Sequence, residues 1–290
     1  MKLLGIYFTG TGNSKRIMEE IGLSLSSFGH SLDVVDVIDG EIKDLNEYDA
    51  LVITYPIYAF NTPKPLIQYV KKIQKLDSQK PCLIMKQSGE HLFWNNASSL
   101  RLISLLKRRN IKVTNEYHYL MPYSFIFRHS DYMAYRMLNI ARGLIPLDLK
   151  DFLDGKESHI KRFFLDRFFA WVFRIQWWGG RFNGRFYKVR KDKCIKCQKC
   201  VNICPAKNIV FDATKDKFKF GGKCLMCQRC IMYCPNHAIK VGMFNAWRVD
   251  EPYSFQEAPY QKESHPNYCK KNYQKYFEES EKRINAAKEQ

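Results

Sequence analysis

Eight of the ten cysteines fall into two copies of one pattern, C-x2-C-x2-C-x3-C-P. The first copy is Cys194, Cys197, Cys200 and Cys204, followed by Pro205. The second is Cys224, Cys227, Cys230 and Cys234, followed by Pro235, and every position lies 30 residues beyond its counterpart. Three thiolates in so tight a loop can grip three corners of an iron–sulfur cubane. The fourth, on the next turn and ahead of a proline that stops the local helix, points away from them. Structural zinc is usually served by separated C-x2-C pairs instead. A disulfide framework suits a secreted chain, but no secretory leader precedes these motifs, so a reducing, cytoplasmic compartment is expected.

A second chemistry-bearing stretch opens the chain. Residues 3–8 form a short apolar strand that runs into Thr9, Gly10, Thr11, Gly12, Asn13 and Ser14, and a helical pattern starts near Lys15. Such a loop collects free backbone N–H groups and the positive end of the helix dipole, which makes it an anion site. It is not a dinucleotide fingerprint, because Lys15 stands where the third glycine should be, and no GK[ST] marks a P-loop. The remaining pattern, T-x-T-G-N-[ST], resembles that of the flavodoxins, whose loop wraps the FMN phosphate with hydroxyls and main-chain amides.

The elements behind this loop alternate. Strands are expected at residues 32–37, 50–54, 82–85 and 112–120, with helices at 65–76 and 98–109. That rhythm implies an α/β doubly wound parallel sheet. The flavodoxin resemblance implies strand order 2-1-3-4-5, with FMN at the carboxyl ends of the strands around the switch point. The loop at residues 55–63 offers Tyr55, Pro56, Tyr58 and Phe60 to a flat ring, with Tyr58 the expected stacking residue. In the loop at residues 86–94, Ser88 and Gly89 are expected to bring main-chain groups to the ring edge.

The cysteine motifs resemble those of two-cluster ferredoxins, a small α+β fold in which the fourth cysteine of each motif serves the other cluster. The resemblance implies one [4Fe-4S] cluster on Cys194, Cys197, Cys200 and Cys234, and a second on Cys224, Cys227, Cys230 and Cys204. In domain order and motifs the chain looks like the flavodoxin–ferredoxin fusions of anaerobic bacteria and archaea. The expected division is a flavodoxin-like domain at 1–150, an aromatic and basic linker at 151–186, a ferredoxin domain at 187–245 and a polar tail at 246–290.

The 290 residues carry a net charge of +18. The excess of Lys and Arg over Asp and Glu is +5 in residues 1–150, +6 in 151–193, +7 in 194–250 and zero beyond. A basic surface of this kind suits an acidic redox partner, an anionic membrane surface or nucleic acid. The chain shows no recognisable nucleic-acid module. Residues 159–186 are aromatic and basic but are interrupted by Asp166, Arg167 and Arg174, so they are not expected to span a bilayer. Apolar residues nearly surround the helical axis there, which leaves three readings: packing over the first domain, membrane-surface binding, or docking of a partner. Gly179, Gly180 and Gly184 are expected to form a flexible turn, Cys82 to be a small buried residue, and Cys269 to be free. The function expected is electron transfer between FMN and two [4Fe-4S] clusters and on to a redox partner. The alternatives are an FMN-dependent reductase fed by the clusters, and a basic membrane- or nucleic-acid-associated protein with structural clusters.

Overall fold

The computed structural model describes residues 1–263 and 270–289; Cys269 lies outside the described residues. Five parallel strands, β1 (Lys2–Tyr7), β2 (Ser31–Asp36), β3 (Ala50–Pro56), β4 (Lys80–Ser88) and β5 (Ile111–Leu120), form one sheet in the order β2-β1-β3-β4-β5. This is the flavodoxin-like order. The central strands β1 and β3 read as unbroken apolar runs because helices cover both faces of the sheet. Helix α1 (Asn13–Ser27) buries Ile17, Met18 and Ile21 in one core, together with Leu3, Tyr7, Ala50 and Val52. Helices α2 (Lys64–Lys72) and α3 (Leu100–Lys107) bury Leu66, Val70, Leu102 and Leu106 in the other, with Leu4, Ile6, Leu51 and Ile53.

The first core is completed by two helices. Helix α4 (Asp131–Leu153) starts at Ser130, whose hydroxyl accepts from the Met133 amide at 3.1 Å, and runs through Pro146. Its 23 residues were not anticipated, since a proline inside a helical pattern normally ends it. The polar tail, for which a surface helix or a frayed end is expected, holds the last helix of the chain, over Lys270–Lys288. Tyr273, Tyr276, Phe277, Ser280 and Ile284 repeat at helical spacing and pack on α4, while the rest of that helix is charged. Arg283 pairs with the buried Asp148 and, at 3.1 Å, with Asp151.

After α4 the chain forms α5 (Phe164–Val172), a 3-10 turn and α6 (Gln176–Gly184). Phe169 stacks on Trp94 at 4.3 Å, Phe173 meets the edge of Phe60 at 5.0 Å, and Asn61 Nδ2 donates to the Ala170 carbonyl at 2.8 Å. Arg162, just before α5, joins a buried charge cluster. Lys86 Nζ lies 2.7 Å from Glu116 Oε1, Arg162 pairs with Oε2 of the same carboxylate, and Ser99 donates to Oε1. Burial alone would raise the Glu116 pKa, but Lys86 and Arg162 overcome it and hold the carboxyl below its ordinary range. Removing one partner strands a charge in the interior. Lys86→Met is therefore expected to cost about 3–5 kcal/mol of stability in a denaturant titration; a loss below about 1 kcal/mol would show that Arg162 alone suffices.

The C-terminal module is small. Strands β6 (Lys188–Val189) and β9 (Ile239–Lys240) pair antiparallel, as do β7 (Ile209–Asp212) and β8 (Lys217–Phe220). Two single-turn helices, α7 (Lys199–Asn202) and α8 (Arg229–Met232), lie within the two cysteine runs and carry the third cysteine of each, Cys200 and Cys230. The final helix, Lys270–Lys288, is α9. The 30-residue repeat reappears in the backbone. Left-handed residues Lys196, Gln198 and Lys207 (φ 56, 53 and 45°) are matched by Met226, Gln228 and His237 (51, 61 and 48°).

Candidate functional site

The cysteine loops curl around their own sulfurs. In each run a backbone N–H two residues on donates to the first cysteine, Lys196 to Cys194 Sγ and Met226 to Cys224 Sγ, both at 3.4 Å. A second pair reaches the last cysteine, Asn208 N–H to Cys204 Sγ and Ala238 N–H to Cys234 Sγ, both at 3.3 Å. Amides aimed at sulfur stabilise thiolate character. Cys194, Cys197, Cys200 and Cys234 line one cavity, and Cys204, Cys224, Cys227 and Cys230 line the other. Each cavity thus takes three cysteines from one run and the last cysteine of the other. Burial pushes the Cys227 thiol up to about 12 and the Cys200 thiol up to about 11. As bare thiols they stay neutral at physiological pH, and an electron-poor metal centre is what draws off such protons. Among the described residues no three His, Cys, Asp or Glu side chains converge on a point suited to a single metal ion.

In the first domain the loop after β1 turns at Gly12, whose φ of 109° no β-branched residue adopts cheaply. The first hydrogen bond of α1 runs from the Arg16 amide to the Gly12 carbonyl at 3.0 Å, so the amides of Asn13, Ser14 and Lys15 precede the helical ladder. The hydroxyls divide. Thr9 Oγ1 accepts from the Gly12 amide at 2.9 Å and keeps its own proton. Ser14 is buried and donates to Gln87 Oε1 at 2.5 Å, so its one proton braces the loop against β4. Asn13 Nδ2 donates to the Pro122 carbonyl at 2.9 Å.

Beside this loop, over the carboxyl ends of β3 and β4, lies a cavity of about 490 Å³, within the range of about 300–1,000 Å³ usual for small-molecule sites. Asn13, Pro56, Tyr58, Phe60, Ser88 and Gly89 line it from the sheet side. A Cβ on Gly89 would run into the Tyr123 ring, so only glycine lets the backbone approach there, and Tyr273 donates to the Gly89 carbonyl from α9. Ser88 Oγ is 2.7 Å from His118 Nε2. Burial holds the fully enclosed His118 imidazole well below its ordinary pKa, and so neutral. A second cleft of about 680 Å³ opens on the other side of Tyr58 beside α2 and α6, and no residue of the loop at 9–14 lines it.

Two expectations need correcting. Tyr55 does not reach the cavity: strand alternation puts it with Leu51 and Ile53, fully buried in the core under α2 and α3. The glycines of α6 are not a flexible turn. Gly180 and Gly184 are buried within the helix, and a Cβ on Gly184 would lie 3.1 Å from Cys224 Sγ. They let the helix backbone lie against the second cysteine run. Tyr58 does line the cavity; its ring meets Phe8 edge-on at 6.0 Å and its hydroxyl lies toward Gly10.

Sequence reading missed the residues that join the two halves. Arg229 donates to the Gly10 carbonyl at 2.8 Å and to the Thr9 carbonyl at 2.7 Å. Tyr233 donates to the Thr11 carbonyl at 2.9 Å. A Cβ on Gly10 would come within 2.8 Å of the Cys227 carbonyl oxygen. The anion loop and the cysteine set of Cys227 are therefore in van der Waals contact. The available signal was a break in the repeat, since Tyr233 stands 30 residues beyond an ordinary aliphatic, Ile203.

Comparison with known proteins fits this geometry. A model of the flavodoxin domain matches residues 4–90, and a model of the 4Fe-4S dicluster domain matches residues 193–239. No curated protein matches the chain. Similar solved structures include a flavodoxin from the domain Archaea, at 15% identity and TM-score 0.37, covering 52% of this chain and 98% of that one. Another is the oxidised Flavodoxin 1 of Bacillus cereus, at 15% identity and TM-score 0.37, covering 49% of this chain and 95% of that one. With its parallel sheet in the order 2-1-3-4-5 and its repeated cysteine runs, the chain joins an N-terminal flavodoxin domain to a C-terminal 4Fe-4S dicluster domain.

Proposed function

We propose that the protein passes electrons between an FMN held by the first domain and two [4Fe-4S] clusters held by the second, and on to an acidic redox protein in the cytoplasm. The observation behind this reading is the contact of Gly10 with Cys227, which puts the flavin-side anion loop and one cysteine set side by side. When bound, FMN exchanges electrons in pairs or singly and a cubane exchanges them one at a time, so the pairing links two-electron to one-electron chemistry.

The protein's own residues supply position and field. The amides of Asn13, Ser14 and Lys15, with the Thr9 hydroxyl, suit a terminal phosphate. Arg229 adds to that loop the cation that the loop's own sequence lacks. The cavity beside it, lined on its far side by Tyr123, Phe125 and Met226, offers apolar walls that suit a flat ring. The set of Cys204, Cys224, Cys227 and Cys230 then lies next to the flavin, and the set of Cys194, Cys197, Cys200 and Cys234 lies farther out. On that outer set Cys197 is exposed, among the exposed Lys191, Lys193, Lys196 and Lys199. Although Lys196 pairs with Asp216 and Asp192 stands among these lysines, cations are in excess there, and such an excess beside an accessible cluster ligand favours an acidic partner and speeds its encounter.

The test is anaerobic purification with chemical analysis. About one FMN and about eight iron per chain are expected. Zinc in place of iron, or FAD in place of FMN, would overturn the reading.

A further inference from the structure

The linker helices bury one face and leave the other bare. Asp166, Ala170, Gly180, Asn183 and Gly184 face inward. On the outside, Phe164 is 79% exposed, Trp171 66%, Ile175 70% and Trp178 70%, with Phe168 and Phe182 also exposed. Large apolar side chains this accessible and this contiguous in sequence are not ordinary surface. Apolar residues nearly surround the helical axis for this reason: one apolar stripe packs on the flavodoxin domain and a second faces out.

We propose that the outer face of α5 and α6 rests on an anionic lipid bilayer. Charge selects this occupant. Between residues 158 and 190 the only carboxylate is Asp166, which is fully buried and accepts a hydrogen bond from the Phe163 amide at 2.9 Å. The exposed charges of the segment are Lys161, Arg167, Arg181, Arg185 and Lys188, all cationic. Aromatic side chains beside Lys and Arg, with no exposed acid, are what the headgroup region of an anionic membrane accepts. A second copy fits less well, because a two-fold contact would set the same cations against each other. The segment lies on the membrane and does not cross it. Each helix has 9 residues, and no helix among the described residues is long and apolar enough to span a bilayer.

The inference goes beyond electron transfer and stands or falls separately from it. The inner side of α6 lines the cavity at Gly179 and Gly180 and touches Cys224 at Gly184, so a bilayer against its outer side sits one helix away from the cofactor sites.

The experiment uses the full-length, cofactor-loaded protein and vesicles of phosphatidylcholine, with or without phosphatidylglycerol. Wild type is expected to sediment with the anionic vesicles at low ionic strength, to bind neutral ones less, and to be partly released by salt. The double variant Trp171→Glu, Trp178→Glu changes only exposed side chains, so it is expected to keep its iron and flavin while its vesicle affinity falls by about tenfold or more. Either of two results would overturn the proposal: wild type left in the supernatant with anionic vesicles, or the double variant binding as wild type does. So would a lipid-free dimer that the double variant dissociates, which would assign the face to a second copy. Iron and flavin content, measured on the same samples, reports on the electron-transfer reading independently.

Discussion

Cys204→Ser is expected to remove about half of the iron from the anaerobically reconstituted protein, from about eight to about four per chain. The iron lost should be that of the set formed with Cys224, Cys227 and Cys230, not that of Cys200, the nearest cysteine in sequence. The cavity that Cys204 lines is shared with those three residues, and Cys234 lines the other. The complementary variant Cys234→Ser should remove the other half. The two differ in a second readout, because only the first set adjoins the anion loop. Cys204→Ser should therefore disturb the flavin absorption band, and Cys234→Ser should leave it as in wild type. Loss of all iron in either variant would mean that the two sets fold as one unit. Unchanged iron in both would show that the fourth positions are not ligands.

What could be read from the sequence was what local rules determine. Buried parallel strands announce themselves as apolar runs, and the hydroxyl- and glycine-rich loop between strand and helix at residues 9–14 carries the pattern of an anion site. The sheet order came from the flavodoxin resemblance, and the structure shows it. What stayed hidden depended on partners distant in sequence. Tyr55 looked like a ring-facing aromatic because the loop reads as starting at residue 55, yet β3 runs on through Pro56 and strand register turns the side chain into the core. Gly180 and Gly184 looked like punctuation, and only the position of Cys224 shows that they are close-packing residues. Lys86 sat in a segment read as loop; β4 runs on through Ser88, and the lysine is tolerated at its fully buried position only because Glu116, 30 residues later, faces it. The C-terminal helix has so polar a composition that its single apolar stripe was overlooked, although Tyr273, Tyr276, Phe277 and Ile284 carry the helical spacing plainly. Arg229 gives no sign by type or spacing that its contacts are 219 and 220 residues away.

The two glycines of the anion loop separate two physical causes, and both are expected to control flavin retention. At Gly12 the space is open, since an added Cβ would meet only the Tyr233 hydroxyl, at 3.6 Å. The obstacle there is the backbone: at φ 109° a β-branched residue is strained, and the loop must give up the turn that presents its amides. Gly12→Val is thus expected to lose bound flavin while keeping its iron, because the cysteine loops do not depend on that turn. At Gly10 the backbone is ordinary and space is the obstacle. A Cβ would collide with the Tyr58 hydroxyl and lie 2.8 Å from the Cys227 carbonyl oxygen. A tyrosine ring can swing aside; a backbone carbonyl moves only with its loop. Gly10→Ala should therefore push the two domains apart, costing about 1–3 kcal/mol as overpacking does, and lowering flavin and iron retention together. Adding Tyr58→Phe relieves the first collision but not the second, so the double variant should recover only part of the loss. The measurement is flavin released on heat denaturation, identified by chromatography, with iron determined on the same samples. Wild type should release FMN. Full flavin occupancy in Gly12→Val would show that the turn is not what holds the cofactor, and complete rescue of Gly10→Ala by Tyr58→Phe would show that Cys227 does not bear on the loop.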